Sequence, residues 1–145
     1  MVLRIRYMTT KKAIFALILI LGLPICLFGG IDQFVGEWKG TGSGLTRIQI
    51  RLAGDQVRLR AFGACHPQDC DWGEVNAQPY AANVGAGVLD TAEAVSAQFV
   101  SGFSRTFLVA YPVGTYQLRV ESFTIFTDTS GRSPYHSTTL LTRIQ

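Results

Sequence analysis

The chain has 145 residues, enough for one domain with its own core, and carries 13 lysines and arginines against 10 acidic residues. The excess is local. Arg4, Arg6, Lys11 and Lys12 all precede an apolar run, and the nine remaining basic residues face all ten acidic ones for a net charge of −1. The positive balance is a targeting feature and is no evidence for nucleic acid as a partner, and none is expected.

Residues 1–12 are basic and contain no acid, and residues 13–28 are apolar throughout, with Pro24 inside the run. A charged stretch followed by an apolar one is the layout of a secretory signal. Residues 1–30 are therefore read as a hydrophobic targeting helix, a signal peptide or a membrane anchor, ahead of a domain at 31–145. Three readings stay open. No A-x-A cleavage site is present, and the 16-residue run lies close to the roughly 20 residues that span a bilayer. Cys26 raises a lipid anchor, although Leu23, Pro24 and Ile25 before it lack the small residue that lipoprotein signals carry there. As an anchor, the segment would leave its basic end in the cytoplasm. Every reading places the domain outside the cytoplasm, secreted or periplasmic, and confines membrane contact to the N-terminal segment.

The remainder reads as strands. Residues 34–39 open the domain and the GTGSG at 40–44 turns the chain. Residues 45–52 alternate, with Ile48, Ile50 and Leu52 on one face and Arg47, Gln49 and Arg51 on the other. Residues 56–62 repeat the pattern after a Gly-Asp turn, so the two runs form a hairpin with one buried face. Residues 71–80 make a fourth strand and 83–87 a loop. The stretch 89–100 fits helix or strand, and a strand from about Val95 is favoured. Residues 105–111, 115–126 and 135–144 complete about eight strands, separated by Pro112-Val113-Gly114 and by the loop 128–134. Eight sequential antiparallel strands close economically into an up-and-down barrel, with a two-sheet sandwich as the rival. The expected inward set is Ile48, Ile50, Leu52, Val57, Leu59, Phe107, Val109, Leu118 and Val120. It suits a filled core and an apolar pocket equally well.

Residues 61–73, AFGACHPQDCDWG, concentrate the chemistry. In an exported domain Cys65 and Cys70 are expected to form a disulfide across a hairpin turn. The alternative is a metal site on Cys65, Cys70 and His66, but neighbouring Cys65 and His66 share one ion poorly and zinc needs four ligands. No metal and no cofactor are expected. His66, Asp69 and Asp71 are either an acid/base cluster or a hydrogen-bonded turn set by Pro67. Trp72 is either a binding platform or packing against the staple. Arg47, Arg51, Arg58, Arg60 and Arg119 are either a face for an acidic polymer or lipid headgroups, or a solvated face with acidic neighbours. No aromatic residues interleave with these arginines as single-strand binding requires. No G-x-S-x-G, P-loop or dinucleotide fingerprint occurs.

Gly36-Glu37-Trp38 resembles the G-x-W that opens lipocalin and avidin barrels. The resemblance implies that Trp38 packs at a closed end beneath an arginine of the last strand, here Arg143. G-x-T-R-I-x-I at 44–50, F-G-x-C-H-P-x-D-C-D-W-G at 62–73 and T-x-F-T-D-x-S-G-R-S-x-Y at 124–135 resemble an uncharacterised family of small secreted bacterial β-domains. That resemblance implies a shared fold and carries no activity. The expectation is an all-β, lipocalin/avidin-like barrel that binds a small-molecule or envelope ligand at a mouth bearing His66, Asp69, Asp71, Trp72, Arg132 and Tyr135. A cell-envelope interaction or structural module and an enzyme using His66, Asp69 and Asp71 are the alternatives.

Overall fold

A computed structural model describes residues 29–42 and 44–145. The targeting segment lies outside the described residues, apart from Gly29 and Gly30. Among the described residues no helix is long and apolar enough to cross a membrane.

A 3-10 turn, Gly30–Gln33, precedes eight strands: β1 Gly36–Lys39, β2 Leu45–Ala53, β3 Gln56–Gly63, β4 Cys70–Ala81, β5 Ala92–Val100, β6 Ser104–Pro112, β7 Gln117–Phe126 and β8 Tyr135–Arg143. Each strand pairs antiparallel with the next, and β8 returns to β1, so the sheet closes on itself in sequence order. The expected up-and-down barrel is the observed architecture, and the sandwich is not. The ambiguous stretch is a strand that starts at Ala92, slightly earlier than expected.

One end of the barrel is plugged. Phe34 and Ile31 of the 3-10 turn are buried, and Ile31 N–H donates to Leu89 O at 2.7 Å. Trp38 Nε1–H donates to Phe34 O at 2.8 Å. The Arg143 guanidinium lies 4.1 Å over the Trp38 ring and donates to the backbone oxygens of Val35 and of Gln33, the latter at 2.7 Å. Gly36 makes this possible. Its φ is +138°, and a Cβ there would meet Arg143 Nη1 at 2.7 Å. Above the plug, Ile48, Ile50, Val57, Leu59, Leu108, Leu118, Val120 and Leu141 fill the lower half of the interior.

Three of the nine expected inward residues are not there. Leu52 is exposed at the end of the β2–β3 hairpin. Phe107 and Val109 point outward, because Leu108 and Ala110 take the interior positions of β6. The run Phe107-Leu108-Val109-Ala110 is apolar at every position, so alternation carries no face information there. Tyr116 lies exposed in the turn before β7.

Candidate functional site

The other end of the barrel is open. It is rimmed by the β1–β2, β3–β4, β5–β6 and β7–β8 connections, and its lining changes character. Above Leu108 and Val120 the interior positions of three consecutive strands carry hydroxyls: Thr106 on β6, Ser122 and Thr124 on β7, Ser137 and Thr139 on β8. Strand register stacks them, with Thr106 opposite Thr124, Ser122 opposite Ser137 and Val120 opposite Thr139. Inside β7 the polarity inverts without any change of parity. Leu118 and Val120 are inward below, and Ser122 and Thr124 are inward above. Phe123 and Ile125 are left outside, 46% and 55% exposed.

This lining surrounds a cavity of about 670 Å³, joined to a side lobe of about 280 Å³ through shared walls at Trp72, Phe103, Thr106, Thr124 and Tyr135. Among the described residues no charged side chain lines the larger cavity, while Asp71 lies in the wall of the side lobe. The Thr106 and Thr124 hydroxyls pair with each other at 3.1 Å. Ser122 Oγ is different: the residue is 4% exposed and its hydroxyl finds no partner among the described residues. Leaving such a group unsatisfied costs about 1–3 kcal/mol.

The aromatic wall opposite is set by β4. Trp72 and Gly73 together oppose Ala61 on β3, because Phe62 pairs with Asp71 and Arg60 with Glu74. Gly73 adopts φ +87°, which makes this β-bulge favourable. The extra residue lets Asp71 and Glu74 both face solvent while Trp72 turns inward, edge-on to Phe99 with 5.8 Å between ring centroids. A Cβ on Gly63 would strike the Trp72 indole at 2.7 Å, so glycine there lets the ring lie against β3. At the rim, Tyr135 stacks with Phe126 at 6.0 Å. Arg132 lies 3.9 Å over Phe126 and 5.3 Å over Phe103, and its charge is answered by Asp128 at 2.6 Å. Asp128 in turn accepts from Ser130, which with Arg132 holds its carboxyl below the usual range.

The sequence-predicted residues divide into two groups. Trp72 and Tyr135 line the cavity, and Arg132 sits on its rim. Cys65 and Cys70, also in the lining, form a disulfide with 5.4 Å between Cα atoms. The metal reading of these cysteines gives way to that bond. Among the described residues no group of three or more His, Cys, Asp or Glu side chains is placed to hold a metal ion. His66 is exposed on the β3–β4 loop, Asp69 is engaged elsewhere, and Asp71 stands in the wall of the side lobe with its carboxylate already paired. Asp69 accepts from Thr46 Oγ at 2.8 Å. Asp71 grips the Arg60 guanidinium and accepts from Gly73 N–H at 2.9 Å, which together hold its carboxyl down to about 2.

The five arginines lie on the outer wall and each meets a carboxylate. Arg47 pairs with Glu37 at 2.9 Å, Arg51 and Arg58 share Glu74, Arg60 holds Asp71, and Arg119 reaches Glu121 at 3.3 Å. Arg47 and Arg60 also cover the outward ring of Phe62, at 3.8 and 5.4 Å. The hydroxyl set and the rim aromatics Phe103 and Phe126 were not among the expected site residues. Their signal in the sequence is a Ser or Thr at every second position of the mouth halves of β6, β7 and β8. Searches with the chain match no protein-family model, no curated protein and no solved structure.

Proposed function

We propose that this chain is an extracytoplasmic binding module that takes a small ligand into the open end of its barrel. The observation that carries this reading is the divided interior: apolar and filled below, hydroxyl-lined and hollow above, with Ser122 Oγ buried and unpartnered beside the cavity. Its volume falls within the roughly 300–1,000 Å³ typical of pockets that enclose small ligands. The disulfide supports the extracytoplasmic assignment, since such bonds persist in oxidising compartments. A binding role without catalysis fits the chemistry of the main chamber, whose lining brings hydroxyls and aromatic rings together and, among the described residues, includes no histidine or carboxylate.

The test is to fill the cavity. Ser122→Leu replaces the unpartnered hydroxyl with an apolar side chain that projects into the hollow half. A small molecule should co-purify with the wild-type chain in native mass spectrometry and be absent from the variant, while the circular dichroism of the barrel is unchanged. A wild-type spectrum free of bound mass, with no thermal shift across a metabolite library, would remove the reading.

A further inference from the structure

Building on the binding role above, we infer that the ligand is a neutral, hydroxyl-rich ring: a mono- or disaccharide rather than an anion, a cation or a hydrocarbon chain. The cavity itself makes the choice. Among the described residues no charged side chain lines its main chamber; Asp71, in the wall of the side lobe, is held by Arg60, and Arg132 at the rim by Asp128. A charged ligand drawn inside would lose its hydration without gaining a counter-charge. A hydrocarbon fails on the opposite ground. It would dehydrate the hydroxyls of Ser137 and Thr139, at about 1–3 kcal/mol for each orphaned group.

A sugar satisfies both walls. Its hydroxyls donate and accept, and so do those of Ser122, Ser137 and Thr139, so either partner can adjust to the other. Its C–H face is apolar and matches the inward Trp72 ring, with Phe103 and Tyr135 at the entrance. Ser122 is the most diagnostic position. Two strands hold it in register between Leu108 and Ser137, the residue is part of the cavity wall, and its oxygen, shielded just behind that wall, has no partner among the described residues, so a small turn of its side chain would present it to a ligand. A hydroxyl kept in that position at a cost to stability is accounted for by a ligand that bonds to it.

The experiment uses the full chain and four probes: N-acetylglucosamine and its β-1,4-linked disaccharide, glucuronate, and a medium-chain fatty acid. Binding is read from tryptophan emission and by native mass spectrometry. Trp38 is buried in the plug, so a mouth ligand reports through Trp72. The neutral sugars should shift the emission, and Trp72→Phe should abolish the shift. Ser122→Ala should weaken sugar binding roughly tenfold, the loss of about one hydrogen bond, and should raise the melting temperature of the ligand-free protein. Binding of the fatty acid or glucuronate with no response to the neutral sugars overturns the sugar assignment and leaves the ligand-binding role standing. No binding by any probe, together with a lower melting temperature for Ser122→Ala, overturns both and leaves a water-filled hollow.

Discussion

Asp71 and Arg60 show how the outer wall is tied to pH. Arg60 and the Gly73 N–H hold the Asp71 carboxyl at about 2, well below its ordinary value of 3.8. Glu74, held by Arg51, and Glu121, held by Thr138 and His136, are lowered in the same direction. A group whose pKa is depressed by folding stabilises the fold above its unfolded pKa and loses that contribution as pH falls through the folded value. The melting temperature should therefore be flat above about pH 5 and fall between about 4 and 2. Asp71→Asn should flatten part of that slope, and a slope identical to wild type would show that the pair does not couple to folding. At the plug, Gly36→Ala forces a left-handed backbone angle on a residue with a Cβ and pushes that carbon into Arg143. It should cost roughly 1–3 kcal/mol in urea unfolding.

Among the elements, the stapled hairpin and the bulge act together. Cys65 and Cys70 close a very short loop, for which the chain-entropy estimate of stabilisation is about 2 kcal/mol. The Cys65→Ser, Cys70→Ser double variant should lose about that much while keeping the barrel, as judged by far-ultraviolet circular dichroism. Because β4 leaves this hairpin and meets the bulge within a few residues, the variant should also loosen Trp72. A red shift in its emission would show it. The alternation in β2 and β3 made both strands and both faces legible from Ile48, Ile50, Val57 and Leu59. The disulfide was legible from the compartment that the N-terminal segment implies. The upper half of the interior was not. Alternation identifies two faces, and assigning the apolar one to the inside is a separate assumption. In β7 that assumption holds at Leu118 and Val120 and reverses at Ser122 and Thr124, where a polar cavity replaces the core. The turn around His66 drew notice by its density of polar residues, yet Asp69 and Asp71 serve Thr46, Gly73 and Arg60.

For the whole molecule, closure depends on its thinnest seam. β1 meets β8 only at Trp38 with Arg143 and Lys39 with Thr142, supported by Ile144 N–H bonding to Glu37 O at 2.9 Å. Every other neighbouring pair of strands has a longer register. The Arg143 clamp spans this seam, so Arg143→Ala should speed amide exchange in β1 and β8 well before the β5–β7 wall responds. Uniform acceleration across all strands would show that the barrel opens as one unit instead. The plug also gives the molecule polarity. Gly29 enters at the filled end, so under the proposed role a retained N-terminal tether would point the mouth away from its attachment.

The brevity of β1 reaches beyond stability. Since it stops at Lys39 while β8 continues to Tyr135, one flank of the hollow is lined by Gly42 and Gly44 of the connection that follows β1. Strand register elsewhere does not depend on that connection. Under the proposed role, lengthening that connection or adding side chains there should reshape the guest the chamber admits while the scaffold stays intact, which would make this short stretch the natural place for selection, or an engineer, to retune what the vessel holds.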